Sequence, residues 1–308
     1  MNKRIFTLVL CLALLPAQAW CAAEMLSADK FRLVAAVISD LGKPQETLLV
    51  MDDDDTLTMM PCSDSKDTDK CQYLGGPAWS SWQQTLIGTP SPYRVASSDD
   101  ELFAIGSALF AVNFMDYTEA DLPLVLQQLT NSGVRLLVET ARGGGDISAT
   151  ENQLTYLQVN SADPQPLLAL IAANTLIMPE GQPSLASPFM PCADSNVRPV
   201  SYRQGVMYVA GQNKGAMLQC LLSKANTERP IRNILFIDDT LENVKDVYAA
   251  FKNSTQYNVK AIHYTHLQKH KEALTAGPMS AAYQKKANER WQALKTVLGK
   301  TMQKPSVQ

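Results

Sequence analysis

The run Leu48-Leu49-Val50-Met51 gives way at once to Asp52-Asp53-Asp54-Asp55, and this junction constrains the chain more than any other feature. An apolar run bounded by a polar turn reads as a strand of a parallel sheet, buried on both faces. In an open α/β sheet the ligand crevice lies beyond the carboxyl ends of the strands, where these aspartates fall. Alternation along an extended segment would send Asp52 and Asp54 one way and Asp53 and Asp55 the other. Two carboxylates sharing one side of a crevice repel unless a cation lies between them, so the stretch predicts a bound metal.

The chain opens with Lys3 and Arg4, an apolar run from Ile5 to Leu15, Pro16, and the small-residue pattern Ala17-Gln18-Ala19. That is the layout of a secretory signal peptide, assigned here to residues 1–23 with a cut after Ala19 or Ala23. The apolar run is too short for a membrane span and no later stretch is long enough. The product is expected in the periplasm or outside the cell. Losing Lys3 and Arg4 takes the formal charge from -3 to about -5, a balance that argues against non-specific nucleic-acid binding. The remaining roughly 285 residues suit one enlarged domain, or a core with a small insert. An oxidising destination permits disulfides. A cut after Ala23 leaves the even set Cys62, Cys71, Cys192 and Cys220. Cys62 and Cys71 flank the polar loop from Ser63 to Lys70 and are expected to close it. Cys192 and Cys220 either pair, or Cys220 is a buried thiol on an apolar helix face.

Further elements follow from period and punctuation. Ser27 ahead of Asp29 reads as the cap of a helix carrying Phe31, Val34 and Ile38, which Gly42 and Pro44 end. Residues 61–115 read as an insert, irregular to about Ser97 apart from a segment with Trp79 and Trp82. Tyr73, Trp79, Trp82 and Tyr93 are candidates for a substrate entrance or for a satellite core. Ser98 with Glu101 forms a capping box, and Ser148 with Glu151 repeats the pattern. A helix from Asp121 to Ser132-Gly133 precedes a second strand, Val134 to Thr140. Gln204-Gly205 centres a hairpin. Lys214-Gly215 opens a helix, and Asn233 to Ile237 is a third strand, again ending in carboxylates, Asp238 and Asp239. A helix from Leu241 to Phe251 leads to a strand near Val259, then a polar helical tail and a disordered end at 301–308. Strands alternating with helices predict a three-layer α/β sandwich on a parallel sheet.

Asp52-x-Asp54-x-Thr56-Leu57-Thr58 at a strand end resembles the first motif of the haloacid-dehalogenase-like (HAD) phosphohydrolases. Thr140 closing an apolar strand resembles their second motif, Lys214 at a helix start their third, and Asp238-Asp239 with Asn243 their fourth. The four occur in that family's order from Leu48 to Asn243. Gly205-Val206-Met207-Tyr208 ahead of Lys214-Gly215 is further similar to secreted HAD-like proteins of unknown function in some intracellular bacteria.

The resemblance implies a Rossmannoid HAD core with a small cap insert and an Mg²⁺-dependent phosphomonoesterase. Its substrate would be a phosphorylated small molecule or phosphoprotein. Asp52 would be the nucleophile and Asp54 the general acid and base. Thr140 and Lys214 would meet phosphoryl charge. Asp52, the Asp54 carbonyl and Asp238 would hold the ion, with Thr56, Asp239 and Asn243 in support. A carboxylate nucleophile divides hydrolysis into two displacements, and a second carboxylate can move the proton. Arg142, beside Gly143-Gly144-Gly145, either approaches the phosphate or is a solvated loop charge. An EF-hand counted from Asp52 would need Gly and Glu where Leu57 and Ser63 stand, which rejects it. His263, His266 and His270 read as surface or turn residues. The alternatives to a hydrolase are an exported binding protein without turnover and a phosphotransferase; oligomeric state is open.

Overall fold

The computed structural model describes residues 23–62, 71–160, 163–192, 197–225 and 229–301. The expected leader, except Ala23, and the expected tail beyond Thr301 lie outside them. In chain order the elements are β1 (Ala23–Ala28), α1 (Phe31–Leu41), β2 (Thr47–Met51), β3 (Thr58–Met59), α2 (Pro77–Leu86), α3 (Asp99–Val112), β4 (Asp116–Tyr117), α4 (Leu122–Asn131) and β5 (Arg135–Thr140). There follow α5 (Ile147–Tyr156), α6 (Leu167–Ala173), β6 (Ser201–Arg203), β7 (Val206–Tyr208), α7 (Lys214–Lys224), β8 (Asn233–Asp238), α8 (Leu241–Phe251), β9 (Asn258–Tyr264), α9 (Gln268–Glu272) and α10 (Ser280–Thr301).

One sheet runs β1-β9-β8-β2-β5-β7-β6, parallel throughout except for β6, which returns antiparallel on β7. The acidic strand β2 is thus central, between β8 and β5. Alternating side chains divide the core: Leu49, Met51, Leu136 and Ile237 meet α1, α4, α5 and α6, while Leu48, Val50, Leu137 and Phe236 meet α7 and α8. This is a three-layer α/β/α Rossmannoid arrangement, as expected from the alternation of apolar strands and helices. The hairpin forms where expected, Gln204 (φ 51°) and Gly205 (φ 81°) supplying the two left-handed residues of a tight turn. No helix among the described residues is long and apolar enough to cross a membrane.

Three local expectations fail. Ser27 does not cap α1: it lies in the edge strand β1, paired with His263 of β9, and α1 instead starts at Phe31, whose N–H donates to buried Glu119 at 2.6 Å. Tertiary pairing there overrides a local cap signal. Ser148 sits inside α5 rather than capping it, and the turn ahead is closed by Asp146, which accepts the Gly143 N–H at 3.0 Å. His270 is buried, 5% exposed, rather than at the surface.

The segment between β3 and β4 carries α2 and α3 and builds a second core with the C-terminal elements. Tyr73, Trp79 and Trp82 bury with Leu102, Leu109, Leu274 and Tyr283, and Trp291 of α10 packs on Trp79. These aromatics are therefore a satellite core rather than an entrance. Ser98 Oγ accepts the Glu101 N–H at 3.2 Å to start α3. Cys62 is joined to Cys71 and Cys192 to Cys220.

Gly215 in α7 faces α8 so closely that a Cβ there would lie 2.8 Å from the Ala250 Cβ and collide with the Asp246 carbonyl. Gly215→Ala should force the helices apart and lower stability by about 1–3 kcal/mol, read from urea unfolding.

Candidate active site

The central strands end together, so Asp52 and Asp238 converge although far apart in sequence, and Thr140 closes the neighbouring strand β5. The ladder extends one residue past β2, the Asp52 N–H donating to the Ile237 carbonyl at 2.9 Å. The chain then turns sharply, because the Asp53 carbonyl accepts the N–H groups of Thr56, Leu57 and Thr58. Asp55 takes a left-handed conformation (φ 60°), which aspartate tolerates better than most residues.

Lys214, the first residue of α7, points its ammonium into the strand ends. Its Nζ lies 2.5 Å from Asp52 Oδ1 and 2.6 Å from Asp238 Oδ2, and its side chain is 1% exposed. Asn213 caps the helix by accepting the Ala216 N–H at 2.9 Å and so fixes where Lys214 begins. Asn243, one turn into α8, donates to both oxygens of Asp238 at 3.1 and 3.0 Å. Thr56 knits the first and last motifs, its hydroxyl donating to Asp52 Oδ2 at 3.4 Å and accepting the Asp239 N–H at 3.0 Å. The Thr140 hydroxyl is buried and accepts the Arg142 N–H at 3.2 Å.

Carboxyl oxygens of Asp52, Asp238 and Asp239 lie within 4.8 Å of one another. Asp239 thus joins the cluster itself, where sequence suggested only a supporting position. Asp54 goes elsewhere: its carboxylate takes a bidentate grip from Arg142, with Nε at 2.8 Å and Nη2 at 2.7 Å, and Asp53 lies 3.4 Å from the same guanidinium. The expected alternation of the four aspartates ends with β2, because the turn rotates Asp53 and Asp54 toward one cation. Arg142 is no solvated loop charge. It is buried, stacks on the Phe110 ring at 4.2 Å, and donates to Thr150 Oγ1 at 2.9 Å and Gln153 Oε1 at 2.6 Å.

The electrostatics are those of a dry, crowded site. Burial pushes the Asp52 carboxyl well above its ordinary range, opposed by Lys214 and reinforced by Asp238 and Asp239. Burial would lower the Lys214 ammonium, but Asp238 and Asp52 more than reverse this and hold it charged. Asp55 is raised by burial and then by Asp239, and neither of its oxygens has a hydrogen-bond partner among the described residues. Among the described residues, Asp52, Asp238 and Asp239 pair with Lys214 and Lys271, so the carboxyl groups of the cluster outnumber its ammonium groups. Hard carboxylate oxygens in that setting suit Mg²⁺, with Asp52, Asp238 and Asp239 as the residues that would hold it.

Sequence reasoning missed three groups. Lys271 of α9 pairs with Asp239 at 2.6 Å, and no motif reaches that far along the chain. His263 of β9 lies beside the site, its Nε2 3.1 Å from the Asp239 carbonyl, rather than on a free surface. Glu139, just before Thr140 in β5, is fully buried with both oxygens unpartnered among the described residues. A glutamate inside an otherwise apolar strand was the available signal.

The fold and site together define an α/β protein with an acidic centre at the ends of its three central strands. Residues 28–304 match the family described as "Protein of unknown function (DUF2608)", and the chain belongs to that family. No curated protein matches it. Among solved structures it is similar to the crystal structure of cytosolic 5'-nucleotidase IIIB bound to cytidine, at 13% identity and a TM-score of 0.31, over 87% of this chain and 93% of that one.

Two outcomes follow from the buried charges. Arg142→Met should cost about 3–5 kcal/mol by stranding Asp54 and Asp53 in the interior, read from chemical denaturation. Burial pushes Glu139 up to about 8. The folded state then holds a proton that the unfolded chain releases near its ordinary carboxyl value, so this stabilising term is intact at low pH and is lost as pH rises through 8. Glu139→Gln should remove that loss: melting compared from pH 5 to pH 9 should fall less steeply in the variant than in the wild type.

Proposed function

We propose that the chain is an exported, Mg²⁺-dependent phosphomonoesterase of HAD type that works through an aspartyl-phosphate on Asp52. The observation that carries this reading is the Lys214 ammonium shared by Asp52 Oδ1 and Asp238 Oδ2 at 2.5 and 2.6 Å, because it joins two strand-end motifs and one helix-start motif in one buried charge cluster.

In the first displacement an Asp52 oxygen attacks phosphorus and the ester oxygen departs. In the second, water attacks the phosphoryl group and Asp52 is released. Mg²⁺ held by Asp52 and Asp238, with the Asp54 carbonyl or the Asp239 carboxylate completing its protein ligands, would neutralise charge on the phosphoryl oxygens. Lys214 adds a fixed positive charge that needs no reorganisation, and the Thr140 hydroxyl at the end of β5 would offer the phosphoryl group a neutral donor. Asp54, released from the Arg142 fork and protonated from solvent as substrate binds, would give that proton to the departing oxygen and take one from the attacking water. The insert, closed by the Cys62–Cys71 bridge and backed by α10, would form the cap that excludes water. Two disulfides agree with export to an oxidising compartment. A phosphorylated small molecule or a phosphoprotein is the substrate class.

Phosphate release from an activated aryl phosphate should require Mg²⁺, stop with chelator, and fall by at least roughly 10³-fold in Asp52→Asn without loss of folding. Near-normal release from that variant would remove Asp52 as nucleophile. Asp54→Asn should be impaired far more on an alkyl phosphate than on the aryl ester, whose leaving group needs little protonation; equal impairment would count against the acid role.

A further inference from the structure

Lys271 lies beyond the last strand of the sheet, yet its Nζ is 2.6 Å from Asp239 Oδ2 and 2.7 Å from Thr240 Oγ1. α9 faces two ways. His270 is buried and stacks on Tyr73 of the insert at 4.9 Å, and Leu274 and Tyr283 bury beside Trp79 in the satellite core. The very next residue after His270 turns back to the acidic centre, so the seat of this ammonium is set by the insert's own packing. The two lysines of the site differ in freedom: the Lys214 side chain is 1% exposed and locked between two carboxylates, whereas that of Lys271 is 27% exposed. An ammonium on Asp239 occupies an oxygen of one of the three carboxylates that converge, and a like charge this close to a divalent ion opposes its binding.

We propose that Lys271 is a positioning residue that holds Asp239 in the absence of a divalent ion, competes with that ion for the carboxylate, and so sets the site's cation affinity. It rests on the metal-binding half of the function proposed above and is independent of phosphoryl transfer. Occupancy of the site would then release the tie between Asp239 and α9, which couples the ion to the seating of the insert.

The test is a titration of the full-length protein with Mn²⁺ alone, free ion being followed by its paramagnetic resonance signal. Lys271→Met keeps the aliphatic stem and should bind Mn²⁺ at least roughly tenfold tighter than wild type, while Lys271→Arg, which keeps the charge, should stay close to it. The gain should vanish when Asp239→Asn is added to Lys271→Met, an outcome that a purely structural role for the lysine would not produce. Lys271→Gln replaces the methionine variant if thermal melts show the latter unfolded. Equal or weaker Mn²⁺ binding by the charge-free variant, or binding by neither protein, overturns the proposal. Phosphate release measured on the same samples separates the two claims: its absence contradicts the hydrolase and leaves the Mn²⁺ comparison standing.

Discussion

The site depends on one buried ammonium shared between two carboxylates. Asp52 and Asp238 end adjacent parallel strands, and without Lys214 they would face each other inside a region that solvates neither. Removing the ammonium would leave two carboxylates uncompensated, which costs more than the assembled group contributes. Much of the surrounding structure serves to deliver that cation. Asn213 fixes the first turn of α7, Gly215 lets α7 close on α8, and Asn243 from α8 satisfies the Asp238 oxygens. The parallel order of β8, β2 and β5 brings the strand ends to one level.

A second cation divides the acidic run. Arg142 takes Asp53 and Asp54, leaving Asp52 to Lys214, so three of the four consecutive aspartates divide between two cations, while neither oxygen of Asp55 has a hydrogen-bond partner among the described residues. The same guanidinium is buttressed by Gln153, which also donates to the Phe110 and Asn113 carbonyls at the end of α3. The insert is therefore tied to the acidic centre on two sides, through Arg142 and Gln153 and through Lys271 on α9. Both ties are charged contacts at the site, while its bulk is held by aromatic packing against α10.

The central strands, their helices and the hairpin were legible because each is written locally, as an apolar run, a helical period or a pair of turn residues. The meeting of Asp52, Lys214 and Asp238 followed from the order of the motifs that carry them. What stayed hidden is what depends on long-range pairing. β1 reads as a helix cap until β9 is seen beside it, and Ser148 reads as a cap until Asp146 closes the turn ahead. Arg142 sits in a glycine-rich loop that looks solvated, and only the fold brings Phe110, Thr150 and Gln153 around it. His270 and Lys271 belong to a polar tail; the first stacks on Tyr73, some two hundred residues earlier, and the second pairs with Asp239, 32 residues earlier in another element, so no local period reveals them.

The proposed reaction places the phosphoryl group on Asp52. Mixing the protein with Mg²⁺ and a phosphorus-labelled aryl phosphate, quenching in acid within the first turnover, and mapping the labelled peptide tests it directly. Label confined to the peptide that contains Asp52, and released by hydroxylamine as an acyl phosphate should be, is the predicted result. Steady turnover with no label on the protein, or label on any other peptide, would contradict it.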